Sequence, residues 1–231
     1  TGELLALIEA DILGRIRTGA ASGLATRYLA RPDARKAVVF GAGRQARTQL
    51  EAVAVTRQLE SAVVFGRDPA RAQAYAEEMT KRLGLSVTVG RDPAAEVRTA
   101  DIVITMTNSA EPVLRGEWLP PGVHVNAAGS NVSNRRELDA AAVQQADVIV
   151  VDSIEQCRIE SGDLLVAERE GAFTLDRAAE LQDVVAGNIP GRTSADQVTL
   201  FKSLGLAVED LAAAKIVYER AVAEGRGIQV P

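Results

Sequence analysis

Short apolar runs alternate with longer amphipathic stretches along most of the chain. Six such runs predict strands at residues 37–40, 61–65, 86–89, 101–105, 123–127 and 147–151. The segments between them, such as RQARTQLEAVAVTRQLE, have the apolar spacing of helices. Continuous apolar strands separated by helices are typical of a parallel sheet that is covered on both faces. The pattern therefore predicts an α/β fold built on a doubly wound parallel sheet.

Two further predicted helices lie outside this alternation, at about residues 9–30 and 203–225. The second carries an apolar stripe on one face, formed by Leu206, Leu211, Ala214, Val217 and Ala221. Either helix can pack on the sheet or on a structure outside this chain. We therefore assign residues 31–202 to the sheet domain, and residues 1–30 and 203–231 to flanking helices of an incomplete second domain.

The composition narrows the possible partners. The net charge is −5 and no block of basic residues occurs, so we expect no nucleic-acid partner. No apolar run approaches the length of a membrane span, so we expect no membrane partner. Cys157 is the single cysteine, which excludes an internal disulfide and favours a reducing, cytoplasmic location. No group of His, Cys and acidic residues has metal-ligand spacing, so no metal is expected.

The first predicted strand is followed by GAGRQA, residues 41–46. In a Rossmann-type domain, Gly41 makes the tight turn, Gly43 lets the backbone approach a pyrophosphate, and Ala46 packs helix against strand. The N–H groups that open the next helix then face the phosphates. The alternative is a plain tight turn between strand and helix. The predicted cofactor-binding residues of this loop are Gly41, Ala42, Gly43, Arg44 and Gln45.

The tip of the second predicted strand bears on the choice of cofactor. Gly66 stands where an acidic residue would bind the adenosine ribose and repel a 2′-phosphate. Arg67 and Arg71 can instead pair with that phosphate, and Arg44 can assist them. Asp68 fits the N-cap of a helix that starts at Pro69, although it could also turn toward the ribose. We predict NADP(H) as the preferred cofactor with NAD(H) possible; otherwise Arg67 is a solvated loop residue.

Five stretches together resemble the ornithine cyclodeaminase/mu-crystallin family. They are RTGAAS, GAGRQA, VNAAGSN…REL, VVDSIEQCRIESGDLL and TLFKSLGLAVEDLAAA, in matching order and spacing along nearly the whole chain. That family includes cyclodeaminases, alanine dehydrogenases, ketimine and imino-acid reductases, and mu-crystallin. The resemblance implies a nicotinamide cofactor, a small amino or imino acid as substrate, and a homodimer for the full-length protein.

The resemblance also implies roles for individual residues. Arg17 would hold the substrate carboxylate, because its planar fork matches a carboxylate, and Thr18 would touch the cofactor. The other residues implied to border the cofactor are Thr107, Asn108, Ser130 and Ser203. Asn131 would lie near the substrate, at a position where cyclodeaminases have an aspartate. An amide cannot accept a proton as a carboxylate does, which argues against cyclodeamination.

These assignments lead to three functional hypotheses. The first is an NADP-dependent oxidoreductase that transfers hydride between nicotinamide and a small imino or amino acid. The second is an NADPH-binding protein without turnover, similar to mu-crystallin, and the third and least favoured is an ammonia-lyase of the ornithine cyclodeaminase type. Family members carry a catalytic lysine in an N-terminal segment, and none of the four lysines here matches its motif. We therefore expect the 231-residue chain alone to be inactive.

Two reactive residue types are interpreted as structural. His124, the single histidine, lies inside the apolar run VHVNA and is expected to be a packed strand residue. Cys157 has no cysteine partner, so we expect it to behave as a small buried apolar side chain.

Overall fold

A computed structural model of the protein describes residues 2–228 and contains one sheet of eight parallel strands. The strands are β1 (Lys36–Phe40), β2 (Ser61–Phe65), β3 (Ser86–Val89), β4 (Ile102–Thr105), β5 (His124–Ala127), β6 (Val148–Val151), β7 (Ala178–Glu180) and β8 (Thr199–Lys202). The helices are α1 (Ala10–Leu29), α2 (Arg44–Thr56), α3 (Pro69–Leu83), α4 (Pro93–Val97), α5 (Ala140–Gln145), α6 (Ile154–Glu160), α7 (Gly162–Arg169), α8 (Leu181–Val185) and α9 (Ala207–Ala223).

The strand order creates a crevice at the centre of the sheet. The order is β3-β2-β1-β4-β5-β8-β6-β7, with every neighbouring pair parallel. The chain runs outward from β1 to β3 and then returns to β4 on the other side of β1. The connections after β1 and β4 therefore diverge at the carboxyl ends of these strands. Open α/β sheets bind their ligands at such a switch point.

Both faces of the sheet are covered, as a doubly wound fold requires. Alternate residues of β1 show this: Val39 packs with the side chains of α2 and α3, whereas Val38 belongs to the cluster that includes α5, α6 and α7. The second half of α1 buries Ala25 and Leu29 against β6 and β8. The predicted α/β class, the doubly wound sheet and the six predicted strands are confirmed.

The buried histidine ties α1 to the middle of the sheet. His124 Nδ1 lies 2.9 Å from the Thr199 hydroxyl of β8, and its Nε2 lies 3.2 Å from Asn126 Oδ1. Asn126 in turn donates from Nδ2 to the Thr26 hydroxyl of α1 at 2.9 Å. Burial, assisted by the charge of Arg192, lowers the pKa of His124 to about 3. The expectation of a packed strand histidine is confirmed, as is the buried position of Cys157.

Two strands were missed, and the predicted start of one helix was wrong. Strands β7 and β8 were not predicted, because β7 has only three residues and β8 consists of the short stretch TLFK. The last helix begins at Ala207 rather than at residue 203. The segment before it is kept out of the helix because Leu204 N and Gly205 N both donate to Asp152, and because Gly205 adopts a positive φ of 88°.

Helix α9 packs along α1, and none of its residues is buried. Leu211 and Val217 of the predicted apolar stripe are exposed.

Within residues 2–228, no helix combines the length and apolar character needed to cross a bilayer.

The close packing of α1 on α2 depends on a glycine, and this gives a test of the fold. A Cβ at Gly19 would lie 2.5 Å from the Thr48 carbonyl oxygen, whereas a Cβ at Gly14 of the same helix would meet nothing within 4 Å. We expect Gly19→Ala to destabilise the protein by about 1–3 kcal/mol, because backbone must move. Gly14→Ala should stabilise it by roughly 0.5–1 kcal/mol through helix propensity. Urea unfolding of both variants measures the difference, and equal effects would contradict the packing of α1 on α2.

Candidate dinucleotide and substrate site

The loops at the carboxyl edge of the sheet bring most of the predicted site residues to one side of the molecule. The glycine loop follows β1, Gly66 follows β2, and Thr107 lies two residues after β4. Ser130 comes three residues after β5, and Ser203 directly follows β8. Because parallel strands end at the same edge, the order of the strands places these loops side by side. Residues from five separate segments therefore border one crevice.

The glycine loop has the shape that a pyrophosphate requires. Gly41 has φ +111°, and a Cβ there would lie 2.2 Å from the Met106 carbonyl oxygen. Gly43 is the N-cap of α2, and a Cβ on it would meet nothing within 4 Å, so its outer side is open. Among the described residues, no side chain caps the start of α2, which leaves N–H groups of its first turn for an anion. The residues present therefore fit a dinucleotide.

The three arginines proposed for a ribose phosphate have different partners. Arg67 donates from Nη2 to Asn108 Oδ1 at 3.0 Å, so that the loops after β2 and β4 meet. Arg71 lies 3.6 Å from Asp68, and Arg44 lies 3.1 Å from Asp11 of α1. Within residues 2–228, no two of these arginines share a hydrogen-bond or ion-pair partner. Each has an exposed side chain and can turn toward a ligand.

The tip of β2 leaves little room for a larger residue. A Cβ at Gly66 would lie 3.3 Å from Ala42 Cβ and 3.4 Å from Ala72 Cβ, which is tight packing on both sides. Asp68 caps α3 by accepting from Ala70 N and Arg71 N. This confirms the predicted N-cap and keeps one carboxylate oxygen of Asp68 turned toward the helix.

A buried ion pair supports the other end of the crevice. Lys202, at the end of β8, is fully buried and lies 2.9 Å from Asp163 Oδ2, which is 1% exposed. The ammonium of Lys202 also donates to the carbonyl oxygen of Ser130. Asp163 Oδ1 accepts from Glu137 N at 2.6 Å and from Leu138 N at 2.9 Å. This pair therefore fixes the segment after β5 against β8 and the start of α7.

Glu137 extends the network to the centre of the sheet. Its carboxylate accepts from Thr107 N at 2.6 Å, from the Thr105 hydroxyl at 2.8 Å and from Gly129 N at 2.9 Å. Burial raises the pKa of Glu137, while the nearby charge of Lys202 and the hydrogen bonds of Thr107 oppose that rise. A Cβ on Gly129 would lie 2.5 Å from both Glu137 Oε1 and Thr107 N. The loops after β4 and β5 are therefore held together by one buried carboxylate.

A third buried carboxylate, after Asp163 and Glu137, organises the loop after β8. Asp152 follows β6, and its Oδ2 accepts from Leu204 N and Gly205 N at 2.6 Å each. The Ser203 hydroxyl lies 3.5 Å from the same oxygen. Asp152 therefore sets the backbone beside which Ser203, a predicted cofactor contact, is placed.

Arg17 and Thr18 reach this loop from α1. Arg17 lies against Gly205, where an added Cβ would be 2.5 Å from Nη1, and it forms ion pairs with Glu209 and Asp210. Thr18 is buried, and its hydroxyl donates to the carbonyl oxygen of Gly14 at 2.8 Å. Its carbonyl oxygen accepts from Gln49 of α2 at 3.2 Å. Arg17 is thus brought to the end of the crevice near Ser203.

Asn131 stands apart from this network, whereas Ser130 belongs to it only through its backbone. Asn131 is exposed, and no hydrogen bond of its side chain is formed within residues 2–228. Ser130 directs its hydroxyl to the carbonyl oxygen of Arg135 at 2.8 Å, which folds the segment around Asn131 into a loop. Its own carbonyl oxygen is the group that Lys202 holds.

Sequence reasoning missed Glu137, Asp152, Asp163 and Lys202 as residues of the site. Asp152 had a usable signal, since it directly follows the predicted apolar strand 147–151, whereas Lys202 ends the stretch TLFK, which is too short to be recognised as a strand. Glu137 and Asp163 had none, because most of their partners lie 25 or more residues away along the chain. The described part of the chain contains no group of three or more His, Cys, Asp or Glu residues arranged to hold a metal ion.

Comparisons with known proteins agree with this architecture. A sequence model described as the ornithine cyclodeaminase/mu-crystallin family matches residues 1–225. A Δ1-pyrroline-2-carboxylate reductase from Bacillus cereus is 42% identical over 231 residues, which cover the whole chain and 71% of the relative.

Two solved structures share the fold over the full chain. The Δ1-pyrroline-2-carboxylate reductase of Thermococcus litoralis, in complex with NADH and L-proline, has a TM-score of 0.97 at 43% identity. An archaeal alanine dehydrogenase dimer with bound NAD has a TM-score of 0.93 at 33% identity. In both cases the match covers 100% of this chain and 71% of the solved one.

The buried ion pair leads to a stability prediction with a matched control. Lys202→Met would leave Asp163 buried without its counter-ion, so we expect a loss of about 3–5 kcal/mol in the free energy of unfolding. Lys215→Met removes an exposed lysine that lies 3.7 Å from Glu219, and should cost less than about 0.5 kcal/mol. Urea denaturation of both variants measures the two values. A loss below about 1 kcal/mol for Lys202→Met would contradict the structural role of the pair.

Proposed function

The chain belongs to the ornithine cyclodeaminase/mu-crystallin family, and we propose that it is an oxidoreductase that reduces the imine carbon of a small cyclic imino acid. Δ1-pyrroline-2-carboxylate is the first candidate substrate, because reductases named for it resemble the chain over its whole length. The observation that carries the proposal is the placement of Arg17 beside the loop after β8, at the same sheet edge as the glycine loop. A fixed cation there suits a substrate that carries a carboxylate.

The residues of the crevice divide into two groups with different tasks. The glycine loop and the first turn of α2 would hold the pyrophosphate, and Thr107, Asn108 and Ser203 would border the rest of the dinucleotide. A bound reduced nicotinamide supplies the hydride. Arg17 would orient the substrate carboxylate, with Asn131 in its vicinity.

The buried carboxylates and Lys202 would contribute by holding the backbone of the loops that border the crevice. Glu137 holds Thr107 N and Gly129 N, and Lys202 holds the Ser130 carbonyl, so the loops that border the crevice have little freedom. Positioning of this kind lowers the barrier of a bimolecular step, because the reactants need not find their orientation again in each turnover.

The other two hypotheses have weaker support. A protein that binds the cofactor without turnover would need the glycine loop but not Arg17, whereas Arg17 is present and half-buried. A cyclodeaminase would need a group that accepts a proton from the substrate amine, and Asn131 offers an amide. Both hypotheses remain outcomes of the activity test below.

We propose that the full-length protein is a homodimer located in the cytoplasm. Leu5, Leu7, Ile12 and Ile16 near the start of the chain are exposed, which is typical of a surface that another structure covers. A single buried cysteine without a partner fits a reducing compartment.

We also propose residues 31–202 as the dinucleotide-binding domain, with the two end segments belonging to a second domain.

The activity itself is tested by oxidation of NADPH or NADH in the presence of Δ1-pyrroline-2-carboxylate. We expect the full-length gene product to turn over this substrate. We also expect Arg17→Leu to raise KM by about 10- to 150-fold, which corresponds to roughly 1.5–3 kcal/mol for a charge-assisted contact. Arg98→Leu, at an exposed position beside the amino edge of the sheet, is the matched control.

Each alternative gives a different result in this assay. Tight cofactor binding without turnover would favour a binding protein, and release of ammonia from ornithine would favour a cyclodeaminase. We propose that the 231-residue chain alone binds cofactor but does not turn over substrate, so it is assayed beside the full-length gene product.

The preference for NADP(H) is a separate prediction. The solved relatives hold NADH and NAD, so this preference rests on Gly66, Arg67 and Arg71 of the chain itself. We expect NADPH to bind at least about tenfold tighter than NADH, as one charge-assisted contact to phosphate would give. Arg67→Ala should remove most of that difference and leave NADH binding nearly unchanged. Fluorescence titration of the 231-residue chain measures both affinities, with Arg98→Ala as control. Equal affinities in the wild type would mean that Arg67 is a solvated loop residue.

A further inference from the structure

We infer that Asp210 is a built-in competitor for the substrate carboxylate at Arg17, whereas Glu209 is a positioning residue that stays bound to Arg17 when substrate enters. The two acids are neighbours in the first turn of α9, and both reach across to α1. The inference rests on the proposed function, because it takes Arg17 as the group that binds the substrate carboxylate. It adds a substrate-affinity role for two residues of α9.

The guanidinium of Arg17 has two edges that can each bind a carboxylate, one formed by Nε and Nη2 and the other by Nη1 and Nη2. At each edge, one of the two nitrogen atoms already donates to an acid of α9. Nε donates to Asp210 Oδ1 at 2.8 Å, and Nη1 donates to Glu209 Oε2 at 3.0 Å. A carboxylate binds an arginine best by taking two parallel N–H groups from one edge. Nη2 belongs to both edges, and within residues 2–228 it donates to no acceptor. A substrate carboxylate therefore needs either the Nε or the Nη1 position, and one of the acids has to leave.

The surroundings indicate which acid leaves. The Glu209 side chain is 20% exposed, whereas that of Asp210 is 43% exposed. The loop around Gly205 packs most closely against Nη1, the atom that binds Glu209, and less closely against Nη2: an added Cβ would lie 2.5 Å from the first and 3.1 Å from the second. An incoming ligand therefore meets protein first at the Nη1 side. Asp210 can move into water at little cost, because a charge that is already partly hydrated loses less on release. The Nε and Nη2 edge is thus the one that a substrate would take.

The local charge also favours an exchange in which the substrate carboxylate replaces Asp210 at Arg17. Arg17 is one cation beside two carboxylates. Burial raises the pKa of Glu209, the charge of Arg17 opposes that rise, and the nearby charge of Asp152 adds to it. A third carboxylate added to this group would meet repulsion, while replacement of Asp210 keeps the charge around Arg17 constant. Arg17 with its two acids therefore favours ligands that offer two oxygens in one plane over ligands with a single acceptor. Only a ligand with two oxygens gains a second hydrogen bond when it replaces Asp210.

The test uses the full-length gene product with the two isosteric amides, Asp210→Asn and Glu209→Gln. Asp210→Asn weakens the competitor, so we expect KM for Δ1-pyrroline-2-carboxylate to fall by about two- to fivefold, the value of a partly exposed ion pair. Glu209→Gln releases the guanidinium from its orientation, so KM should rise by about fivefold. The dissociation constant of L-proline in the presence of NADPH should follow the same two directions.

Controls separate this inference from a structural effect and from the proposed function. Asp196→Asn, at an exposed position near the amino edge of the sheet, should change nothing. In an Arg17→Leu background, Asp210→Asn should no longer lower KM, because the competition requires the guanidinium. If the wild type neither turns over the substrate nor binds L-proline, the proposed function is wrong. If the wild type is active and Asp210→Asn leaves KM equal or higher, the competitor role of Asp210 is overturned.

Discussion

The buried ammonium of Lys202 is the constraint on which the geometry of the crevice depends. A charge taken out of water is tolerated only when a counter-ion and hydrogen-bond acceptors replace its hydration. Asp163 supplies the counter-ion and the Ser130 carbonyl supplies an acceptor. Because these two groups come from different segments, satisfying one lysine fixes the position of both relative to β8. Asp163 in turn fixes a further segment, because it accepts hydrogen bonds from the backbone N–H groups of Glu137 and Leu138.

The position of β8 in the sheet explains why this constraint acts on the site. The last strand of the chain enters between β5 and β6 rather than at an edge. The residue that ends β8 therefore lies between the loops after β5 and β6, and it is surrounded by protein. A charged side chain at that point has to be buried, and its partners have to come from the neighbouring loops. The burial of Asp152 after β6 and of Lys202 at the end of β8 thus both follow from the position of β8 inside the sheet.

Local sequence signals predicted most of the fold but only part of the site. The six apolar strands, the Gly41 turn and the Asp68 cap are encoded by neighbouring residues, so their pattern is visible in the sequence alone. Strand β8 was missed because TLFK is too short to stand out, and residues 203–206 were assigned to a helix that Asp152 prevents from starting early. The pairs Lys202–Asp163 and Arg17–Asp210 join residues far apart in sequence, and only the folded chain brings them together.

The arginines of the crevice differ in what they must give up to bind an anion. Arg17, Arg44 and Arg71 each contact a carboxylate of the chain, so an incoming phosphate or carboxylate replaces an existing ion pair. The net gain is then the difference between two similar contacts, which favours ligands that offer better geometry over ligands that offer charge alone. Arg67 contacts the neutral amide oxygen of Asn108, and within residues 2–228 it forms no ion pair with a carboxylate. A charge-assisted contact between Arg67 and an anion would therefore displace no ion pair, which is why the proposed preference for NADP(H) depends most on this residue.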